Sequence, residues 1–537
     1  MVFRFLQLVD ADLMAKHDNS LSKAVLMREN TIPARIRRRI YIPLTWDVNR
    51  PIWPHPEFVA HFNGMLDSAL ANQWPTIAQA SVYDNLTTAP TGNWGDGHVK
   101  PRSEEEIARL DRRVIPDEIE QDIIAEAGGI EDAWVASGHE VFPALRDCVA
   151  DHLVAIQADY TVGAVLMWRA TPSVRAATQH FGIPLIDLEL ASIRRPFYRD
   201  TMAYFQFEPH FTSNEFTNRW SVFQREAGDV PVLTRKEILS LFLNDTNLER
   251  LATMDQYEEF EFGAALGLAN DIEARYTGCM PIKTVLDGIR TLSPEDAILV
   301  RPHPPEQPTF DADIHLDDSA DGADFIMRCR RIVSTVSNMG YEAMLYGKTS
   351  YVLGPMPFAP AGLPHLDHVD EAVTDLRLLN WITFGFLVPY DLMFSQDYLD
   401  WRLSQPLPSE VEIYRRHLEY YLGKWGVPAD TLELTGARRL AAFMAARENA
   451  GGNPMGVARH KTAVQLAAGQ AALVDNAVLT NENQTLKNEN QALKNEAEQL
   501  AQHVNELLGS TSWRLTAPLR AASRAGRIVL RHVRHQL

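Results

Sequence analysis

The sequence predicts an α/β protein: two Rossmann-like units with a cleft between them, followed by an α-helical coiled coil. Three observations carry this. From Arg37 onward, short apolar runs alternate with helical stretches, the rhythm of a parallel sheet covered by helices. The rhythm restarts as a second α/β unit after residue 235. Near the C-terminus Leu479, Leu486, Leu493, Leu500 and Leu507 recur every seven residues, each preceded at three residues by Asn476, Asn483, Asn490, Ala497 and Val504. That is a heptad repeat with Leu at d and Asn at three a positions, a pattern that fixes register at a cost in stability.

The elements follow in order. Residues 1–35 read as a polar, partly helical leader, and residues 36–235 as the first Rossmann-like unit. Its first strand is Arg39–Thr45. The stretch 91–130 is rich in Gly, Pro and charge, and reads as a surface insertion with a helix over Glu104–Leu110. A strand over Ala164–Trp168, a helix over Pro172–Phe181 and a strand over Ile183–Leu190 complete the unit. Residues 236–385 form the second unit. It begins with a helix over Lys236–Met254 and a strand over Phe260–Leu268 that ends in Ala-Asn-Asp-Ile. A helix over Ile282–Thr291 and a strand over Ala297–Val300 follow. Next come a helix over Asp324–Arg330, a strand over Arg331–Val333, a helix over Asn338–Leu345 and a strand over Ser350–Leu353. Residues 386–447 are helical, 448–461 a Gly- and Asn-rich linker, 462–508 the coiled coil and 509–537 a basic amphipathic tail. Two such units closed by C-terminal helices describe the GT-B architecture.

Charge limits the partners. The net charge of -19 argues against general nucleic-acid binding. From Gly509 onward there are six Arg and no Asp or Glu, so an acidic body carries a cationic tail. In that tail Arg514, Arg520, Arg524, Arg527, Arg531 and Arg534 interleave with Trp513, Leu515, Leu519, Ile528, Leu530 and Val533, which suits a helix lying on an anionic leaflet. Cys148, Cys279 and Cys329 are far apart and fit a reducing compartment better than a disulfide framework. With no secretory h-region and no run of 18 apolar residues, the expected location is cytoplasmic and peripheral to a membrane.

The chemistry concentrates in Ile298-Leu-Val-Arg-Pro-His-Pro304 and in Ser334-Thr-Val-Ser-Asn-Met-Gly-Tyr-Glu342. The first is a buried strand presenting Arg301 and His303 at its C-terminal tip, where open α/β sheets bind ligands. The second places Ser334, Thr335, Ser337 and Gly340 where a strand turns into a helix, a place suited to phosphate, with Glu342 one turn in for hydroxyls. Asp271 closes the strand from Phe260 and is placed to act as nucleophile or base; Asp245 competes for that role. Glu189 ends a strand of the first unit and can face the same cleft. No metal-ligand spacing, P-loop, G-x-S-x-G or G-x-G-x-x-G motif occurs, so the expected chemistry needs no metal or cofactor.

Residues from about 150 to 390 resemble the bacterial retaining β-Kdo transferases of capsule and O-antigen (lipopolysaccharide) assembly, where Kdo is 3-deoxy-D-manno-oct-2-ulosonic acid. The resemblance rests on Ala265-Leu-Gly-Leu-Ala-Asn-Asp-Ile272, Arg-Pro-His-Pro and Ser-Thr-x-Ser-x-x-Gly-Tyr-Glu-Ala. The family pattern favours Gln where this chain has Gly267. The resemblance implies a CMP-activated Kdo donor, a GT-B fold and a covalent route with Asp271 as nucleophile. It also implies His303 and the serines on the CMP phosphate and Glu189 as a cleft carboxylate. The expected partners are a nucleotide-sugar donor, a glycan acceptor, a second copy of the chain through 479–507 and a membrane surface through 509–537. Two alternatives stand: another nucleotide-activated donor, sialic-acid-like or a CDP-polyol, and a non-catalytic membrane-associated assembly protein.

Overall fold

A computed structural model describes residues 37–48, 56–88, 100–251, 258–266, 272–293, 298–302, 314–319, 321–367 and 374–449. The chain divides into two compact units, 1–457 and 458–537, and every described residue lies in the first. The expected leader, coiled coil and tail, together with Asp271 and His303, lie outside the described residues.

The first sheet has seven strands in the order β12-β6-β5-β4-β1-β2-β3. They are β1 Arg39–Thr45, β2 Pro75–Gln79, β3 Asp111–Ile115, β4 Thr161–Trp168, β5 Leu185–Leu190, β6 Met202–Gln206 and β12 Leu387–Pro389. β1 to β5 pair in parallel, and β6 and β12 add an antiparallel edge. The central strands are largely apolar and buried: β1 is buried along nearly its whole length, and so is β4 after its first two residues. The chain winds outward through β2 and β3, then jumps back to β4 beside β1. At such a reversal, here the C-terminal ends of β1 and β4, open α/β sheets place their ligand crevice.

The second sheet has five parallel strands in the order β11-β10-β7-β8-β9. They are β7 Phe260–Ala265, β8 Ile298–Arg301, β9 Ile314–Leu316, β10 Cys329–Ser334 and β11 Thr349–Val352. Its reversal falls between β7 and β10, and β10 ends in Ser334, the start of the segment Ser334–Glu342 singled out by sequence. Each Rossmann-like unit thus directs its switch-point crevice with the candidate residues at strand ends.

Three differences from the sequence expectation have physical causes. The stretch 91–130 holds more than a surface insertion: β3 is a strand of the first sheet, and the helix Asp117–Ala127 follows it. β3 is an edge strand whose Asp111, Arg112 and Arg113 are not buried, so its charge hid it. The helix expected over Lys236–Met254 breaks at Leu243, which is extended, into Arg235–Phe242 and Asp245–Leu251. The segment after residue 386 is not all helix. β12 returns to pair with β6, and Tyr398, Leu399 and Leu403 join the core of the first unit. The two units are therefore interlaced by the chain. Between them, Trp381 packs against Phe216 at 5.0 Å, Trp220 at 5.3 Å and Phe386 at 5.4 Å, aromatic contacts each contributing about 0.5–1.5 kcal/mol beyond burial.

Candidate functional site

β4 ends in Trp168, and Arg169 then adopts a left-handed conformation with φ of 57°. A non-glycine residue holds that shape only when its surroundings enforce it. The enforcer is Asp187 on β5. Its buried carboxylate accepts from the Ala170 N–H at 3.0 Å and from the His210 N–H at 3.1 Å. One side chain thereby fixes two turns that enter the crevice. Burial pushes the Asp187 carboxyl up to about 7, against these N–H groups and Arg175.

Glu189 stands two residues further along β5. Its Oε1 accepts from the Leu190 N–H at 2.8 Å. Burial raises its pKa, while the positive charge of Arg169, that N–H bond and Arg194 oppose the rise. The same two guanidinium groups act on His61, which burial holds neutral with a pKa near 4. His61 stacks on Trp168 at 5.0 Å. His210, kept neutral with a pKa of about 3 by burial and by Arg169, meets Gln206 Oε1 through Nδ1 at 3.1 Å. The crevice is thus a cationic focus around one carboxylate, with two neutral imidazoles beside it.

The second unit meets this crevice through the turn after β10. Ser334 and Thr335 are buried, and Ser334 Oγ donates to the Tyr351 carbonyl at 3.4 Å. Those two side chains are part of the turn's internal structure. Ser337 is the partly exposed hydroxyl of the trio, and its Oγ accepts from the Met339 N–H at 3.2 Å. Gly340 lets the helix Met339–Leu345 close on β10: a Cβ there would lie 2.5 Å from Ser334 Oγ. Asn338 ties the units together. Its Nδ2 donates to the Leu190 carbonyl at 2.9 Å, and its Oδ1 accepts from the Tyr204 hydroxyl at 2.8 Å.

Glu342 is buried and accepts from the Tyr198 hydroxyl. Burial raises its pKa to about 7, opposed by that bond, Arg194 and Arg301 and reinforced by Asp321. Arg194 is exposed and acts on carboxylates of both units, Glu189 and Glu342. Arg301 is engaged by the buried Asp317 and by Ser319 Oγ at 3.1 Å, and its positive potential still acts on Glu342. Asp245, the competing nucleophile, begins its helix and is held by Arg447 Nε at 3.0 Å.

The structure therefore brings Glu189, Ser337, Gly340 and Glu342 to the junction between the units. Sequence reading missed Arg169, Asp187, His61, His210, Tyr198 and Asn338. A left-handed Arg and a carboxylate bonded to two distant N–H groups leave no local pattern. Only the position of Arg169 at a strand's C-terminal end was a usable signal.

Residues 91–213 match the sequence model of the Glycosyltransferase 99 family N-terminal domain. No curated protein matches the chain. Among solved structures, two domains of Thermosulfurimonas dismutans KpsC are similar. The beta Kdo 2,7 transferase is 15% identical, with a TM-score of 0.30 over 44% of this chain and 78% of that one. The beta Kdo 2,4 transferase is 14% identical, with a TM-score of 0.29 over 43% and 84%. S. aureus MnaA with UDP is 12% identical, with a TM-score of 0.27 over 72% and 97%. Over 91–213, the stretch that carries Arg169, Asp187, Glu189, Arg194 and His210, this chain is similar to the N-terminal domain of a glycosyltransferase family.

Proposed function

We propose that this chain is a glycosyltransferase of bacterial surface-polysaccharide assembly that moves Kdo, a 2-keto-3-deoxy acid sugar, from a CMP-activated donor with retention of configuration. The observation that carries the reading is the family match over 91–213, within which a buried-strand carboxylate, Glu189, is flanked by Arg169 and Arg194. The Arg-Pro-His-Pro and Ser-Thr-x-Ser motifs at 301–304 and 334–337 support a CMP phosphate as leaving group.

In this reading the Asp271 carboxylate attacks the anomeric carbon as the bond to the CMP phosphate oxygen breaks. His303 and Ser337 donate to the departing phosphate, and Arg301 adds positive potential. The acceptor hydroxyl then attacks the same carbon, the Asp271 ester bond breaks, and Glu189 takes the hydroxyl proton.

A thermal-shift screen with CMP, UMP, GMP and CDP tests the nucleotide. CMP at 100 times its dissociation constant adds about 2.7 kcal/mol of stability. Selective stabilisation by CMP is expected. Selective stabilisation by CDP, UMP or GMP points to a donor other than a CMP-sugar. No stabilisation by any of them favours an assembly role.

The C-terminal segments complete the proposal. The heptads over 479–507 pair two copies of the chain, and the tail over 509–537 holds them on an anionic leaflet. Among the described residues, no helix is long and apolar enough to cross a membrane. A chain truncated after Gly456 is expected to be monomeric, to leave anionic vesicles unbound and still to release CMP from donor. Sedimentation with vesicles, or an unchanged oligomer on gel filtration, would remove these roles from the C-terminus.

A further inference from the structure

The helix Ile272–Thr277 belongs to the second unit but packs against the helix Ile130–His139 of the first. Its Tyr276 ring stacks on Trp134 with centroids 4.0 Å apart and planes inclined by 21°. The ring lies over the backbone of Gly138, where an added Cβ would come within 2.3 Å of it. Phe211 closes the far edge at 5.8 Å. Beside this stack, Arg275 pairs with Asp132 at 2.6 Å, and the His139 ring nitrogen lies 3.3 Å from the Arg275 carbonyl.

The guanidinium of Arg169 stands 5.2 Å from the centroids of both rings. It is thus held by one ring from each unit, a cation–π contact strengthened where water is excluded. The backbone of Arg169 is already fixed by the Asp187 bond to Ala170 N–H. The two rings contribute to the direction of its long side chain. The Arg169 N–H donates to the Leu188 carbonyl at 3.3 Å, one residue before Glu189, and the Arg169 charge acts on Glu189.

We propose that Tyr276 is a positioning residue: closing on Arg169 together with Trp134, it sets the guanidinium that balances the charge of Glu189, and so ties that carboxylate to the contact between the two units. Glu189 also faces Arg194 and the Leu190 N–H, with Asp187 on its own strand and Tyr204 on β6. The variants below separate the path through Arg169 from these groups. The catalytic meaning of the device rests on the reading of Glu189 as the acceptor's base; the electrostatic link does not.

The test follows the titration of Glu189 by NMR in full-length protein labelled with 13C at the glutamate carboxyls, its signal assigned by loss in Glu189→Gln. Removing an aligned opposite charge shifts a carboxyl by about 1 unit or more. Tyr276→Ala is expected to raise the Glu189 midpoint by about 1 unit, and Tyr276→Phe, which keeps the ring, to leave it unchanged. Gly138→Ala, which pushes the ring out by adding one methyl, is expected to act like Tyr276→Ala should that variant fold poorly. Arg275→Ala breaks the neighbouring ion pair and is expected to leave the midpoint alone. In steady-state transfer to an acceptor the acidic limb of the pH–rate profile should move by the same amount. An unmoved Glu189 midpoint in folded Tyr276→Ala or Gly138→Ala protein overturns the proposal. Absence of CMP release by the wild type, with the midpoint shift present, overturns only the catalytic reading.

Discussion

Asp271→Asn is expected to abolish sugar transfer while leaving CMP binding intact. The amide matches the carboxylate in shape but carries no charge to attack the anomeric carbon, so the loss falls on the covalent step and not on binding. Intact-protein mass spectrometry of the wild type with donor should show a sugar adduct that Asp271→Asn lacks. An adduct on Glu189 would exchange the roles of the two carboxylates. An adduct on Asp245 would require that carboxylate to leave Arg447, which now holds it. Wild-type turnover with no adduct at any time would remove the covalent route.

Glu189→Gln is the second large effect. Loss of a positioned base lowers the rate by about 10²- to 10⁴-fold. The pH dependence adds a signature. Burial raises the Glu189 pKa above that of a free glutamate, and the base is active only when ionised. The wild-type rate should therefore fall as pH drops through that raised value, and Glu189→Gln should show no such limb. Because Glu189 acts after CMP has left, burst release of CMP should survive in this variant while steady turnover does not. A full steady rate in Glu189→Gln would sink the assignment.

Some strands were legible in the sequence where burial made the text apolar, although β2 and β6, buried at every residue, were not read. Arg39–Thr45, predicted from its apolar text, is β1 residue for residue. β4 was found within a few residues of its bounds for the same reason, and β5 as well, although it carries Asp187 and Glu189 between its apolar residues. β2, β3, β6, β9 and β12 were not read as strands. Charges mark β3 as an edge strand, and β12 is three residues long, sitting between a π-helical turn and a helix. The candidate site was half legible. Glu189 and the Ser337–Glu342 turn stood out because strand ends and helix starts have local signatures. Arg169, Asp187 and Tyr276 did not, because their roles come from contacts between elements far apart in the chain. Glu342 was read as an open hydroxyl acceptor; the structure buries it against Tyr198, a partner 144 residues away.

The account stands most directly on donor choice. The full-length chain, with CMP-Kdo, CMP-sialic acid, a CDP-polyol and a UDP-hexose offered in turn and released nucleotide read by chromatography, gives the answer in one experiment. CMP release from CMP-Kdo, faster than nucleotide release from the other three and lost in Asp271→Asn, is the result predicted here. Release from the UDP-hexose or the CDP-polyol in preference to CMP-Kdo, or release that persists in Asp271→Asn, would contradict it.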